Sequence, residues 1–328
     1  MKALKDNTGL IKNNRIFQDY INDIQNVKEF YPLHYKDNTS WQTIIDKVRA
    51  RNADYSELGN ILERQNTDFG INQKILDNIE KLASGSAFAV VTGQQTGIFT
   101  GPLYTIYKAM TAIRLSQYLS EKYQADFVPV FWVESNDHDL KEANHIYLLD
   151  SNSDQIKIEY NPSQYIIDSS VKDVIVDDSF AMVIDDFGKS LPNTEFKSDI
   201  FGIIRDSYLP SKSISYGFGR MMSQLFGKYG LVLIDPSDHE IKKLMSPIFQ
   251  KEAEHPLKSV EILNSVGEKL RLSGYECPIE KSDDSTCIFI EIDGARRKLY
   301  YRNERFEFDC CNMVLSKSEL LETLQIAP

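Results

Sequence analysis

The chain has 328 residues, of which 42% are hydrophobic and 26% charged, a balance typical of a folded globular protein rather than a disordered one. Its 48 acidic and 37 basic residues give a formal net charge of −11, which argues against nucleic acid or an anionic membrane as a partner. The sequence begins without an apolar targeting segment and contains no run of about 18 apolar residues, so we expect a cytoplasmic protein.

The length predicts two domains, or one domain with insertions. Residues 1–85 predict a mainly helical segment that belongs to the core. Apolar residues recur at helical spacing from Ile16 to Val27, ahead of Pro32, and predict a first helix. A second amphipathic helix is predicted before Gly85, with an apolar face formed by Ile71, Ile75, Ile79 and Leu82.

Residues 86–150 have the pattern of a strand, a helix and a second strand. The continuous apolar runs Ala87–Thr92 and Phe127–Val133 are typical of buried parallel strands. For the helix between them, Thr100 is the predicted N-cap and Pro102 suits the first turn. We therefore predict a right-handed βαβ unit.

A glycine-rich loop follows the first of these strands, with its glycines four residues apart at Gly93, Gly97 and Gly101. Loops at this position of an open α/β sheet bind ligands, and a helix N-terminus favours an anion. Gln94 and Gln95 add amide donors and acceptors, so an anion or nucleotide site is predicted, with a tight structural turn as the alternative. Lys108 lies about 10 Å along the helix from Gly101 by helical rise, too far to act as a P-loop lysine.

The second strand leads into ESNDHDLKEANH, residues 134–145. Asp137, His138 and Asp139 stand together there, and carboxylates beside a histidine can set its pKa and tautomer for work as a general base. The alternative is a solvated acidic loop with a capping aspartate. If the segment is one helix, a divalent metal is a lesser alternative, held on a shared face by His138, Glu142 and His145.

Three further segments complete the predicted organisation. Residues 151–212 predict an inserted connecting region with a hairpin, and residues 213–265 predict a helix, a strand at Leu231–Asp235 and a helix that return to the core. Residues 266–328 predict a β-rich connecting region, with a hairpin turn at Asp293–Gly294.

Few residues in these segments suggest chemistry. Asp235 and His239 can reach the same cleft as the glycine loop, although helix capping is the preferred interpretation, with Ser237 or Asp238 as the cap. Arg296 and Arg297 are interpreted as solvated strand residues. The four cysteines form no CxxC pair and are predicted to be reduced thiols: Cys277, Cys287, Cys310 and Cys311.

The stretch TGQQTGIFTGPLYTIYKA, followed by VPVFWVESNDHDLKEANH, resembles BshC, the cysteine-adding enzyme family of bacillithiol biosynthesis. The resemblance is strong over residues 86–150 and looser over residues 213–310. It implies an α/β fold with a Rossmann-like parallel-sheet core, N-terminal helices and inserted connecting domains. Because members of the family are longer, the family's C-terminal coiled coil is expected to be absent from this chain.

The resemblance also implies an activity, a ligase that forms an amide bond when it adds L-cysteine to glucosaminyl malate. In the mechanism that we expect, a carboxylate is activated as a phosphate or adenylate ester, and the amine of cysteine then attacks it. ATP with magnesium is expected of a ligase, and a homodimer is expected of the full-length family. The alternatives are a nucleotidyltransferase or glycosyltransferase on the same core, or a non-catalytic nucleotide-binding relative.

Placed on this chain, the implied catalytic residues are Asp137, His138 and Asp139. The implied substrate- or nucleotide-binding residues are Gly93, Gln94, Gln95, Gly97, Thr100, Gly101, Tyr104, Lys108, Glu134, Asn144 and His145. No metal ligand is assigned.

Overall fold

The computed structural model describes residues 14–51, 53–137, 139–150, 152–165 and 169–326. Its α-helices are α1 Arg15–Asn22, α2 Asn38–Arg49, α3 Ser56–Phe69, α4 Gln73–Ala83, α5 Tyr104–Tyr123, α6 Leu140–Ala143, α7 Phe180–Ser190, α8 Lys197–Ser207, α9 Ile214–Phe226, α10 His239–Glu254, α11 Lys258–Leu272 and α12 Lys317–Ile326. Its strands are β1 Ala87–Gln95, β2 Asp126–Glu134, β3 His145–Leu149, β4 Gln155–Glu159, β5 Val232–Ile234, β6 Ser285–Ile292, β7 Ala295–Arg302, β8 Arg305–Phe308 and β9 Cys311–Leu315. Within the described ranges, no helix combines the length and apolar character that crossing a bilayer requires.

The chain divides into two compact units, and the first comprises Met1–Asn52 and Leu257–Ser285. In this unit the Tyr275 hydroxyl donates a hydrogen bond to Asp19 Oδ2 at 2.8 Å, which fastens the residues after α11 to α1. The prediction of a helix that continues to Val27 is wrong. Helix α1 ends at Asn22 because Asp23 leaves the helical region, with φ −146° and ψ 82°, and a separate 3₁₀ turn follows.

The second unit comprises Ala53–Pro256 and Thr286–Pro328, and its centre is a parallel sheet with the strand order β1-β2-β5. Strands β1 and β2 pair along their whole length, from Ala87↔Asp126 to Gln95↔Glu134, and α5 connects them. The predicted βαβ unit is therefore confirmed. Pro129 is tolerated in the central strand because it precedes the residues of β2 that pair with β5.

Helices cover both faces of this sheet, because successive strand residues point to opposite sides. On one face, α3, α4 and α10 bury a core that includes Ile61, Ile75, Val128, Val130, Val232 and Ile241. On the other face, α5 and α9 bury a core that includes Ala109, Ile113, Phe131, Val133, Phe218 and Leu233. These three layers form a Rossmann-like α/β core, the predicted fold class.

The chain between the sheet strands β2 and β5 forms a smaller layer of its own. Strands β3 and β4 make the predicted hairpin, paired from His145↔Glu159 to Leu149↔Gln155. Two helices that the sequence did not predict, α7 and α8, follow it and bury the third apolar core around Tyr160, Phe180 and Tyr208.

The last part of the second unit is the predicted β-rich region. Strands β6 to β9 form one four-stranded sheet, and α10 and α12 bury its apolar face around Leu299, Phe306 and Leu320. The turn between β6 and β7 has positive φ angles at Asp293 (52°) and Gly294 (74°), as a tight hairpin requires. The hairpin prediction is confirmed.

Candidate active site

The carboxyl ends of the three parallel strands lie at one edge of the sheet, and the segments after β2 and β5 are tied together there. Ser135 Oγ donates a hydrogen bond of 2.5 Å to Asp235 Oδ1, which also accepts from Ser237 N at 2.9 Å. The preferred interpretation of Asp235 as a turn and capping residue is thus supported by its contacts. Asp238 is the N-cap of α10, and its side chain accepts a hydrogen bond from Glu240 N. It is one of the two residues, Ser237 and Asp238, that were predicted as the cap.

The glycine loop at the end of β1 is packed into the protein rather than open to solvent. Residues 96–100 are buried, and Ile98 and Phe99 belong to the core of the inserted layer. Thr96 N donates to Glu134 O at 3.1 Å, and Phe99 N donates to the Tyr208 hydroxyl at 2.8 Å. Burial raises the pKa of Tyr208, so this hydroxyl stays neutral.

Two of the glycines are required by the local backbone. A Cβ atom on Gly93 would lie 2.7 Å from Trp132 O on the neighbouring strand, and Gly101 has φ +67°. The prediction that Thr100 caps the following helix is wrong. Thr100 is buried in a 3₁₀ turn with φ +74°, and α5 begins only at Tyr104 with no side-chain cap. These observations favour a structural role for the loop in this conformation.

Beside the loop, a polar cluster lies at the surface. Lys108 Nζ donates to Gly93 O at 3.2 Å and to Gln94 Oε1 at 2.9 Å, while Gln94 Nε2 donates to the Tyr104 hydroxyl at 3.0 Å. Lys108 therefore lies beside the start of the loop, because α5 packs along β1 and brings this side chain back to the end of the strand. Gln95 Nε2, just inside the loop, is buried without a hydrogen-bond partner among the described residues.

The segment after β2 contains the predicted general base. His138 lies outside the described residues. Asp139 is exposed and caps the short helix α6, with its carboxylate accepting from Glu142 N at 3.2 Å. Asp137 is partly buried, and its backbone oxygen accepts from Val171 N at 2.8 Å, which fastens the segment to the inserted layer.

The alternative of one helix across this segment is wrong. Helix α6 ends at Ala143 and His145 is the first residue of β3, so Glu142 and His145 do not share a helical face. Asn144 is buried and holds the end of the β3–β4 hairpin, donating from Nδ2 to Tyr160 O at 2.9 Å. Glu134 is occupied in a similar way, with its carboxylate accepting from Trp132 Nε1 and Asn136 N, each at 3.1 Å. In the part of the chain that the structure describes, no three His, Cys, Asp or Glu side chains cluster as metal ligands.

A cavity of about 360 Å³ opens next to Asn136, at the carboxyl end of β2. One side is apolar and is lined mainly by residues of α10, β6 and α12, among them Phe249, Ile288, Leu320 and Leu324. The other side carries the polar and charged groups, namely Asn136, Ser170, Lys242, Glu291 and Arg296.

The charged groups of the cavity are held by well-defined contacts. Glu291 pairs with Lys172 at 3.1 Å, and the Arg296 guanidinium lies 4.1 Å from the centre of the Phe289 ring. Lys242 is partly buried, and burial together with the neighbouring Lys172 lowers its pKa. The interpretation of Arg296 as only a solvated strand residue was incomplete, since this exposed side chain also lines the cavity.

No motif in the sequence predicted that Ser170 or Lys242 lines this cavity. Ser170 lies far from any recognised motif, and its hydroxyl reaches the site by donating to Ser135 O at 2.8 Å. Lys242 had a weak signal, because it lies in the helix that directly follows the third parallel strand, where α/β folds place ligand contacts.

The parallel sheet, the helices on both faces and a cleft at the carboxyl edge define a Rossmann-like α/β protein, and the cleft lies where proteins of that class usually bind ligands. The chain matches, over residues 4–328, the family model described as "Bacillithiol biosynthesis BshC, N-terminal Rossmann-like domain". The chain belongs to this family, as its glycine-loop and DHD motifs predicted.

Curated relatives agree with this assignment. The chain is 32% identical over 314 residues to a protein of Salinibacter ruber, 30% identical over 317 residues to one of Koribacter versatilis, and 28% identical over 318 residues to one of Lysinibacillus sphaericus. Each carries the name "Putative cysteine ligase BshC". These matches cover 95%, 96% and 97% of this chain but only 57%, 57% and 58% of the three relatives, so the chain spans little more than half of their length.

Proposed function

We propose that this chain contains the substrate-binding core of a ligase that adds L-cysteine to glucosaminyl malate in bacillithiol biosynthesis. The observation that carries the proposal is the family match over residues 4–328. The cleft at the carboxyl edge of the sheet supports it, because that is where a Rossmann-like enzyme binds small molecules. The names of the relatives support a ligase rather than a nucleotidyltransferase or a glycosyltransferase.

The reaction is the formation of a carbon–nitrogen amide bond between a carboxylate and an amine. The amine must lose a proton as it attacks, and we assign that proton to His138, with Asp137 or Asp139 orienting the imidazole. Asp139 already accepts a hydrogen bond from Glu142 N. The Asp137 backbone oxygen accepts from Val171 N, and either of the two carboxylates that flank the histidine in sequence can serve as the orienting group.

ATP with magnesium is the expected source of activation, since it would convert the carboxylate into a phosphate or adenylate ester. The glycine loop, with Gly93, Gln94, Gln95, Gly97 and Gly101, was the predicted place for the nucleotide. In the present conformation the loop does not fit a triphosphate, because its residues 96–100 are buried and its Phe99 N–H is already bonded to Tyr208. No step of the proposed reaction therefore involves a nucleotide bound there.

The polar cluster beside the loop is the accessible part of the predicted nucleotide site. Lys108 and Tyr104 are exposed, and the Lys108 ammonium lies 5.0 Å from the centre of the Tyr104 ring.

We propose that the reaction takes place in the cytoplasm and that the full-length relatives act as homodimers.

The proposal is tested by incubating the purified chain with glucosaminyl malate, L-cysteine, ATP and magnesium, and following products by mass spectrometry. We expect the mass of bacillithiol together with ADP or AMP. Because both substrates carry an amine and a carboxylate, fragmentation of the product will show which carboxylate was activated. A His138→Ala variant that turns over at the rate of the unmodified chain would remove the base from the scheme. The same assay on a full-length relative is the positive control.

A further inference from the structure

We propose that the cavity beside Asn136 binds the anionic end of a small molecule, a carboxylate or phosphate group, with Lys242 as its principal cationic contact. The inference rests on the proposed function, since it names the part of the active site that would hold one substrate.

The charged side chains of the cavity favour an anionic ligand. The cavity is lined by two cations, Lys242 and Arg296, and by one anion, Glu291. Glu291 is already neutralised by Lys172, with Nζ and Oε2 3.1 Å apart. Lys242 and Arg296 therefore place two positive charges on the wall of the cavity, with Asp173 and Asp235 near Lys242 but outside the lining, although the whole chain has a net charge of −11. A positive, low-dielectric cleft concentrates anions.

The Lys242 ammonium is in an environment that a bound anion would stabilise. Its ammonium is partly buried beside a second lysine, and it forms no ion pair within 4.0 Å among the residues that the structure describes. Burying an ammonium without a carboxylate partner costs free energy. A bound anion would supply that partner, whereas a cationic or neutral ligand would leave it unpaired.

The size of the cavity and the polarity of its lining suit a small acid. A volume of about 360 Å³ is at the lower end of the range for small-molecule sites. Asn136 and Ser170 offer neutral hydrogen-bonding groups next to Lys242, and Phe249 and Leu324 close the opposite side. This combination fits a short polar acid better than a large, flat aromatic ligand. Such groups occur in the proposed reaction, among them the carboxylates of the malate moiety and the phosphates of a nucleotide.

The experiment measures binding directly, by titration calorimetry of the 328-residue chain with L-malate, inorganic phosphate and pyrophosphate as separate probes. Three variants are compared with the unmodified chain: Lys242→Met, Lys242→Arg and Lys243→Met. Lys243 is the matched control, because it is an exposed lysine at the next position of the same helix. Circular dichroism confirms that each variant is folded.

We expect Lys242→Met to weaken binding of the preferred anion by about 10- to 100-fold, the usual worth of a charge-assisted hydrogen bond. Lys242→Arg should retain most of the affinity, and Lys243→Met should retain all of it. Preference for malate would identify the substrate's carboxylates as the ligand, and preference for phosphate or pyrophosphate would identify the nucleotide. Equal losses in Lys242→Met and Lys243→Met, or no binding of any probe to the unmodified chain, would overturn the proposal.

The mass-spectrometric assay separates this inference from the proposed function. Anion binding to this chain that depends on Lys242, without bacillithiol formation under conditions in which a full-length relative forms it, would contradict the function and leave the cavity assignment standing. Bacillithiol formation by Lys242→Met with unchanged KM for both glucosaminyl malate and ATP would contradict the cavity assignment and leave the function standing.

Discussion

The Tyr208 hydroxyl accepts a hydrogen bond from Phe99 N at 2.8 Å and lies 3.4 Å from Gly97 O, so one buried side chain holds both halves of the glycine loop. Phe99 has φ +52° and Thr100 has φ +74°, angles that non-glycine residues seldom adopt. The strained conformation therefore depends on contacts from the inserted layer, to which Tyr208 belongs.

The first prediction concerns this hydroxyl. Tyr208→Phe leaves the Phe99 N–H buried without its partner, and should lower the free energy of unfolding by about 1–3 kcal/mol. Urea unfolding measures the effect. Tyr229→Phe is the control, because Tyr229 is 42% exposed and should change stability by no more than about 0.5 kcal/mol. Equal effects of the two substitutions would contradict a role for Tyr208 in holding the loop.

The second prediction concerns the close approach of β1 and β2. Gly93→Ala places a Cβ 2.7 Å from Trp132 O and 2.8 Å from Trp132 Cβ, so backbone has to move. We expect the free energy of unfolding to fall by about 1–3 kcal/mol or more, which is the usual cost of overpacking a closely packed site. Gly202→Ala in α8 is the matched control, because its Cβ meets nothing within 4 Å. It should stabilise the helix by about 0.5–1 kcal/mol. Thermal melting of both variants checks the prediction, because the melting temperature should fall for Gly93→Ala and rise for Gly202→Ala.

The central βαβ unit could be predicted because its signals are local. Continuous apolar runs gave β1 and β2, and the glycines between them marked the turn. The start of α5 could not be predicted from Thr100 and Pro102, because tertiary contacts hold Thr100 in a left-handed conformation and shift the helix start to Tyr104. A capping residue was recognisable by type but not by the backbone angle that the fold imposes on it.

The cavity could not be predicted, because its polar and charged residues come from segments far apart in the chain. Ser170 follows the inserted hairpin, Lys242 is in α10, and Arg296 is in β7. No local spacing relates them, and only the packing of the β-rich sheet on α10 brings them to the carboxyl end of β2. The acidic DHD segment was visible by contrast, because Asp137 and Asp139 are neighbours in sequence.

The third prediction concerns the outer edge of β5. Asn66 is 1% exposed, donates from Nδ2 to Leu233 O at 2.8 Å and accepts from Leu233 N at 3.0 Å, so its amide replaces a neighbouring strand. Asn66→Leu should cost about 1–3 kcal/mol for each backbone group left buried without a partner. Asn60→Ala, at an exposed position of the same helix, should change the free energy of unfolding by less than about 0.5 kcal/mol. Urea unfolding of both variants measures the effect. Equal losses in the free energy of unfolding would contradict the role of Asn66 at the edge of β5.

The last prediction concerns the pH dependence of anion binding in the cavity. Only the protonated ammonium of Lys242 attracts an anion, and burial, followed by the charge of Lys172, lowers its pKa below that of an ordinary lysine. The acidic groups that oppose this shift are Glu291, Asp173 and Asp235. Affinity for the anion should therefore be full at neutral pH and should fall as pH rises through the lowered pKa of Lys242. The fall should begin at a lower pH than for a solvated lysine, whose pKa is about 10.4.

A bound anion favours the protonated form, so the complex should take up protons in the same pH range. Calorimetry in buffers of different ionisation enthalpy measures that uptake directly. Lys242→Arg supplies the control, because arginine stays protonated throughout the range and should give a flat profile in its place. A decline of equal size in the arginine variant would show that another group titrates.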